Sequence, residues 1–519
     1  MGEIMNKKTI FLFFFLIISF GKVAFYLIPQ AEETTSKFKE KDNLTSMQTA
    51  QNTLDNIRVI SDDSSLWNNE DSRYSSIAID SSNSIHVVWQ DETIGLWGDD
   101  IEIMYCNYTS ATGWSNATVI SDDSSGWNDE DSKFPSIAVD SSDNLHIVWY
   151  DNTNGIWGND YEIMYCNYTS ATGWSNATVI SDDSSGWNDG NGYNPEIAID
   201  NLDNLHVVWR DRTEGWWGGG ALDEEIMYCN YTSATGWSNA TLISDDSSSW
   251  NNENSQNPSI DIDSLNNIHV VWHDYTDGWW GNDAEIMYCN YTAAIGWSNV
   301  TIISDDSSNW NNKSSYFPSI AIDNGNNLHV VWKDDTEGYW GGGASDEEIM
   351  YCNYTSATGW SNAMVISDDS SNWNNDWSSI STIVVDSMDN LHVVWHDNTD
   401  GWWGTDTEIM YCKYTSSTGW SNATIISDDS SGWNDGNSLR PAIDIDSSDN
   451  IHFVWHDHTN GTWGIDYEIM YKELSLEDGG PNGNGGGEIL GFQLMSLIIL
   501  SVASILGLII VSWKKTTLN

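Results

Sequence analysis

The chain has 519 residues, with 77 Asp and Glu against 18 Lys and Arg, for a net charge of −59. Such a charge repels nucleic acid and anionic lipid surfaces and suits cation-rich surroundings. Acidity on this scale often marks disorder, but an aromatic content of 13%, with 32 Trp, argues for a packed fold.

In chain order, residues 1–32 begin with Lys7 and Lys8 and continue into apolar stretches at 10–20 and 23–28. They read as a signal peptide or an uncleaved signal anchor. Residues 33–54 are polar and read as a flexible lead-in. A short β-like segment follows, Asn56-Ile57-Arg58-Val59-Ile60-Ser61.

From there one unit repeats seven times. The tract Ile-Ser-Asp-Asp-Ser-Ser begins at Ile60, Ile120, Ile180, Ile243, Ile303, Ile366 and Ile426, at spacings of 60, 60, 63, 60, 63 and 60. Periods this long mark an array in which no single unit buries its own faces. In the second copy, strand A is Ser136-Ile137-Ala138-Val139-Asp140 and strand B is Leu145-His146-Ile147-Val148-Trp149. After a long loop, strand C runs from Glu162 to Tyr168, and a Ser170-Ala171-Thr172-Gly173 turn leads into strand D, Trp174 through Ile180. Four strands without helical periodicity, repeated radially, predict the blade of a β-propeller.

The last copy ends after strand C, at Glu468-Ile469-Met470-Tyr471. The missing strand D is supplied by the orphan at 56–61, which matches Asn176-Ala177-Thr178-Val179-Ile180-Ser181. The expectation is an all-β, seven-bladed propeller of four-stranded antiparallel blades over residues 55–474. Its last blade is closed by the N-terminal strand, which removes the exposed sheet edges.

Residues 475–488 form a Gly/Asn-rich linker. Residues 489–513 are apolar and long enough to span a bilayer as a helix, and Lys514 and Lys515 lie in a tail at 514–519. Positive residues stay cytoplasmic, which predicts a membrane-anchored propeller facing outside at the cell surface. A processed sorting tail is the alternative. Thirteen Asn-x-Ser/Thr sequons, Asn107 and Asn116 among them, fit an exported glycoprotein.

The six Cys share one strand C position: Cys106, Cys166, Cys229, Cys289, Cys352 and Cys412, with Lys472 in the seventh copy. Equivalent positions in neighbouring blades lie beyond bridging distance, so they read as free, buried thiols. Strand B carries a His in every copy (His86 in the first), read as a structural, hydrogen-bonded residue rather than a ligand. The strand B Trp, Trp89 and its copies, reads as core.

The B–C loop keeps a fixed set. In the first copy it is Asp91, Thr93, Gly95, Trp97, Gly98, Asp100 and Glu102. Carboxylates brought back to the base of a loop suit a hard cation, so Asp91, Asp100, Glu102, Asp151, Asp160 and Glu162 are candidate Ca²⁺ ligands. The alternative is a network of Asx and Ser/Thr turns. The loop-tip residues Trp97, Trp157, Trp217, Trp280, Trp340, Trp403 and Trp463 are candidate ligand contacts, because flat aromatics beside polar groups suit sugar rings. The D–A connection, Ser61-Asp62-Asp63-Ser64-Ser65-x-Trp67-Asn68, emerges on the same face. Its Trp67 either joins that surface or plugs the gap between blades.

The unit Pro-Ser-Ile-Ala-Val-Asp-x-x-x-Asn-Leu-His-Ile-Val-Trp … Glu-Ile-Met-Tyr … Gly-Trp-Ser resembles the repeats of sialidase-like (BNR/Asp-box) β-propellers. The turn Ser110-Ala111-Thr112-Gly113-Trp114 is similar to their Asp-box hairpin, but it is shorter and has no Asp. That resemblance implies the fold. A hydrolase of the family would use an arginine cluster, a Tyr/Glu pair and an acid Asp. This chain has five Arg, at 58, 73, 210, 212 and 440, of which Arg440-Pro441 is similar to the family's Arg-Ile-Pro. Seven near-equal loops fit a non-enzymatic binding or scaffold module for glycans or cell-surface proteins. A sialidase-like glycoside hydrolase and a purely structural envelope protein are the alternatives.

Overall fold

The computed structural model describes residues 57–61, 68, 70–94, 99–121, 130–152, 160–181, 190–212, 223–244, 251, 253–276, 283–304, 313–335, 347–367, 376–398, 405–427, 434, 436–458 and 466–475. The N-terminal leader and lead-in, the linker, the apolar stretch at 489–513, Trp67 and the seven loop-tip Trp lie outside the described residues. Among the described residues no helix is long and apolar enough to cross a membrane.

Seven antiparallel sheets follow one another along the chain. In blade 1, strand A is Ser72–Ile79, strand B Ile85–Asp91 and strand C Glu102–Thr109. Strand B is buried at every position in this blade and carries Val87, Val88 and Trp89 at 0% exposure. Both of its faces are covered by neighbouring blades, so it has no polar face, as in any strand packed on two sides. The cores lie between blades: Val88 and Ile103 of blade 1 pack with Ile137, Leu145 and Trp149 of blade 2.

Strand D differs from the expected continuous strand. It is two short pieces, Gly113–Trp114 and Thr118–Val119, each paired to strand C. Ser115 explains the break. Its amide donates to the Asn107 carbonyl (2.8 Å), while its hydroxyl accepts the Asn107 amide (3.0 Å). The side chain stands in for a strand carbonyl, and the chain swings out before rejoining at Thr118. Trp114 packs edge-on against Tyr471 of the preceding blade, with ring centroids 4.9 Å apart.

Strand A is longer than expected and bulged. In blade 2 it spans Ser132–Val139, with its register broken between Lys133 and Ser136. Pro135, which has no amide to donate, fits this break, and blades 1 and 6 carry the same break with Ser75 and Ser381, so the bulge belongs to the repeat rather than to the proline. The third residue of every strand A lies in the left-handed region: Tyr74, Phe134, Asn194, Asn257, Phe317, Ile380 and Arg440, with φ between 49 and 57°.

The ring closes as the surplus strand predicts. Arg58 pairs with Tyr471 and Val59 with Met470, and the Ile60 amide donates to the Ile469 carbonyl at 2.8 Å. Blade 7 then packs on blade 1, with Val454 and Ile469 in one cluster with Ile77, Val87 and Trp89. A second closure runs through the A–B turns on the opposite face. The Ser81 amide donates to Asp143 of the next turn (2.9 Å), the relation recurs around the ring, and Ser447 donates to Asn83 (3.2 Å). The acceptors are Asp or Asn at positive φ, the residue types that tolerate it.

The conserved polar groups of the core have local partners. His86 is held by the Tyr105 hydroxyl (2.8 Å) and the Asp80 carboxylate (3.3 Å), and His392 by Tyr411 and Asp386 in the same way. The blade histidines are therefore structural. All six cysteines are buried and unbridged, and burial pushes their thiols far above the ordinary range. In the seventh copy Lys472 donates to the Ile426 carbonyl at 2.9 Å.

Candidate functional site

Antiparallel pairing brings the end of strand B against the start of strand C. Asp91 lies opposite Glu102, and Asp151 opposite Glu162. The ends of strand B and the starts of strand C thus lie on one face of each blade, with Asp91 beside Glu102 and Asp151 beside Glu162. Their environment is a hydrogen-bond network. The Asp91 carboxylate accepts from the Ser72 hydroxyl (2.8 Å), the Trp89 indole (2.9 Å) and the Thr93 amide (2.9 Å). Burial raises its pKa against the pull of these donors. Glu102 accepts from the Ser121 hydroxyl of its own sheet.

The Asn of the D–A connection joins adjacent blades. Asn251 donates to Glu225 of blade 3 and to Ser255 of blade 4, both at 2.9 Å, and Ser255 passes the chain to Asp274 at 2.7 Å. Asn68 bridges Glu468 (3.1 Å) and Ser72 (2.8 Å) across the closing seam. Asp100 and Asp160 lie just before strand C, partly exposed. Among the described residues no group of three or more His, Cys, Asp or Glu is placed to hold a metal ion.

The same face carries a second set of residues, and these do not repeat. Pairing sets the second residue of strand A against the sixth of strand B: Arg73 with Gln90, Lys133 with Tyr150, Tyr193 with Arg210, Tyr316 with Lys333. With the left-handed third residue of strand A, these positions form a collar where the innermost strands begin. Strand A is the inner edge of each sheet, and successive strands A touch directly: the Ile137 amide reaches the Ser76 hydroxyl (3.4 Å) and the Ile79 amide the Asp444 carboxylate (2.9 Å).

The collar is aromatic and cationic. Tyr74 and Phe134 stand 4.0 Å apart, Phe134 stacks on Tyr150 at 5.6 Å, and Tyr150 meets Tyr193 and Tyr161 edge-on. Arg73 lies over Tyr467 (4.4 Å), Arg210 over Tyr193 (4.5 Å) and Arg440 over Tyr74 (4.6 Å). Three histidines sit at the sixth strand B position, His273, His396 and His456. Burial and the nearby Arg and Lys side chains keep them neutral, with His273 and His396 at about 3. The sequence shows the arginines of this set, but fixed repeat positions do not bring them together with Tyr74, Phe134 and the three histidines. The available signal was the reverse: divergence at a few positions of an otherwise near-identical repeat.

No protein-family model matches this chain, and no curated protein is similar to it. Solved structures are similar in fold. An ulvan lyase of polysaccharide lyase family 25, bound to a glucuronyl–sulfated rhamnose unit, has a TM-score of 0.49 at 10% identity, covering 79% of this chain and 97% of its own. The polysaccharide lyase Uly1 has a TM-score of 0.47 at 10% identity, covering 77% and 89%. The NanB sialidase of Streptococcus pneumoniae has a TM-score of 0.40 at 12% identity, covering 83% and 72%. The chain itself is a seven-bladed β-propeller by its own sheets and closure.

Proposed function

We propose that this chain is a surface-binding propeller, anchored through residues 489–513 with the propeller outside the cell, whose D–A and B–C face engages glycans or cell-surface proteins without turning them over. One observation supports this most: all seven blades deliver the same two connections to one face, so contacts at that face are multiplied rather than unique. The loop-tip residues Trp97, Trp157, Trp217, Trp280, Trp340, Trp403 and Trp463 are the proposed contacts. A glycan array probed with the full chain, with and without EDTA, tests the reading. Absence of any enriched glycan or protein ligand counts against it.

Calcium at Asp91, Asp100 and Glu102, and at Asp151, Asp160 and Glu162, belongs to the same proposal, since paired carboxylates at a loop base suit a hard cation. Chelation should then lower the melting temperature, because a ligand of the folded state alone stabilises it by mass action. Replacing Asp100 and Glu102 by Asn and Gln in one blade should remove about one-seventh of the bound calcium.

A second reading, a glycoside hydrolase, is supported by the broken symmetry of the collar, where Arg210 meets Glu224 (3.3 Å) beside Tyr193. Hydrolysis of a fluorogenic sialoside that is lost on Glu224→Gln would establish it in place of the first.

A further inference from the structure

Strands A, B and C alternate in direction, so the A–B and C–D turns of every blade emerge at the end away from the start of strand C. The ring takes in and gives out its chain at that same end. Strand C of blade 7, Glu468–Leu474, runs towards it. The closing strand, Arg58–Val59, is antiparallel to that strand and therefore starts there. Residues 475–488 continue from Leu474 and reach at most about 50 Å fully extended, or about 20 Å on average for a Gly-rich chain. With residues 489–513 as the anchor, a reading on which this inference rests, the tether is fixed to the face of the A–B and C–D turns.

That face departs from the repeat in one chemical direction. The residue two places after the A–B turn Asp is Ser82, Ser142 or Ser448 in three blades and Gly325 in blade 5, but Leu202, Leu265 and Met388 in blades 3, 4 and 6. The C–D turn carries Thr112 and its copies, but Ile295 in blade 4. These four are 71, 72, 69 and 83% exposed for Leu202, Leu265, Met388 and Ile295. Three of them stand on tied backbone. The amides of Leu202, Leu265 and Met388 donate to Asp200, Asp263 and Asp386, each at 2.9 Å. Each of those turns is bonded to the next one round the ring, as where the Asn201 amide meets Asn266 (3.1 Å) and the Ser264 amide Asn326 (3.0 Å). The blades follow one another round the ring, so blades 3 and 4 lie farthest from blade 7, where the chain leaves. The tether and the Leu202–Leu265 pair thus hold opposite sides of one face.

We propose that the face of the A–B and C–D turns rests on the bilayer, with Leu202, Leu265, Ile295 and Met388 dipping into an interface of zwitterionic lipid. Single apolar tips spread over a tethered face suit a bilayer, which needs no matching shape, and the tether supplies the effective concentration. The lipid is not anionic, because Asp143, Asp203, Asp389 and Asp449 stand partly or fully exposed in the same turns. Seated this way, the propeller turns the B–C end of every blade away from the membrane, towards the ligands proposed for it.

The full chain reconstituted in phosphatidylcholine vesicles tests this. An environment-sensitive dye is placed on Ser142→Cys, in the A–B turn of blade 2, or on Ile94→Cys, which is 66% exposed beyond strand B. The six native thiols are buried and stay unlabelled. Lipid spin-labelled near its headgroup should quench the Ser142 dye by about twofold or more, as for a group held at the interface, and leave the Ile94 dye unchanged. Leu202→Ser, Leu265→Ser, Met388→Ser and Ile295→Thr together should remove most of that quenching. They should leave the melting temperature in place, because the same residues already serve in other copies of the turn. A chain that resists carbonate extraction yet shows equal quenching at both dyes, or at neither, overturns the seating and spares the anchor. So does quenching that the fourfold variant leaves unchanged. A chain extracted by carbonate overturns the anchor and the seating with it. Self-quenching of the Ser142 dye that rises with chains per vesicle, in place of quenching by lipid, gives the face to a second copy and overturns the proposal. Stronger quenching when phosphatidylglycerol is mixed in overturns the choice of zwitterionic lipid.

Discussion

Asn68 donates its side-chain amide to the carboxylate of Glu468 at 3.1 Å, across 400 residues of sequence. Each end of that bond belongs to a network that repeats in other blades, so the seam between the first and last blades is built like the seams between neighbours. Ser61 adds a second link, with its hydroxyl donating to the same carboxylate.

The closing strand should therefore carry stability for the whole ring. Removing residues up to 61 deletes the Arg58–Val59 pairing and reopens the edge of blade 7. The truncated chain should melt well below the intact one. Asn68→Ala, which leaves Ser72 and Glu468 short of a buried donor, should cost about 2–3 kcal/mol in urea unfolding. A truncated chain that melts like the intact one would refute closure.

The cysteines should be silent in the native protein and fully countable after unfolding. All six are buried without bridges. Ellman titration in denaturant without reductant should find close to six thiols, and titration of the native chain close to none, because buried neutral thiols do not react. A count near zero in denaturant would place disulfides where the sheets keep the sulfurs apart.

Two sets of buried groups should set the pH dependence in opposite senses. His392 is fully buried, and burial lowers its pKa from 6.5 to about 4 even though Asp386 opposes the shift. Between those values the unfolded chain holds a proton that the folded chain refuses, so stability falls as pH drops through the window. Asp444 behaves in reverse. It sits on strand A of blade 7 against strand A of blade 1, and burial raises its pKa to about 7 against the amides of Ile445 and Ile79. Its stabilising contribution is complete below the ordinary carboxylate range and is lost as pH rises towards 7. His392→Gln should flatten the acid limb of a melting-temperature profile, and Asp444→Asn should flatten the decline between about pH 4 and 7. Profiles parallel to that of the unmodified chain would show that neither group is perturbed.

The blade count, the closure, the free cysteines and the structural histidines were legible because each shows in the register of one repeat against the next. The first three residues of strand A were not. Pro135 reads as a strand breaker, and only the bulge reveals that Ser132, Lys133 and Phe134 continue the same strand. The break in strand D was hidden because a Ser hydroxyl replaces a ladder partner at Asn107, which no apolar pattern signals. The collar was missed for a related reason. Arg440, Tyr74 and Phe134 lie in three different repeats, and their shared register at the bulge becomes a contact only when the ring closes.

Binding at the loop face should be graded, not all-or-none. On the proposed function, seven similar loops would offer weak contacts of comparable strength, and sites linked on one anchored chain would gain apparent affinity from effective concentration. Trp97→Ala alone should then reduce binding to a ligand-coated surface by about twofold or less, while the same change in four or more copies should abolish it. The loss should be steep on a dense surface and shallow for a monovalent ligand in solution, which separates avidity from simple loss of fold. If Trp97→Ala alone eliminated binding, one blade would hold a dominant pocket, and the propeller would have to be read as an asymmetric, enzyme-like receptor rather than a repeated surface.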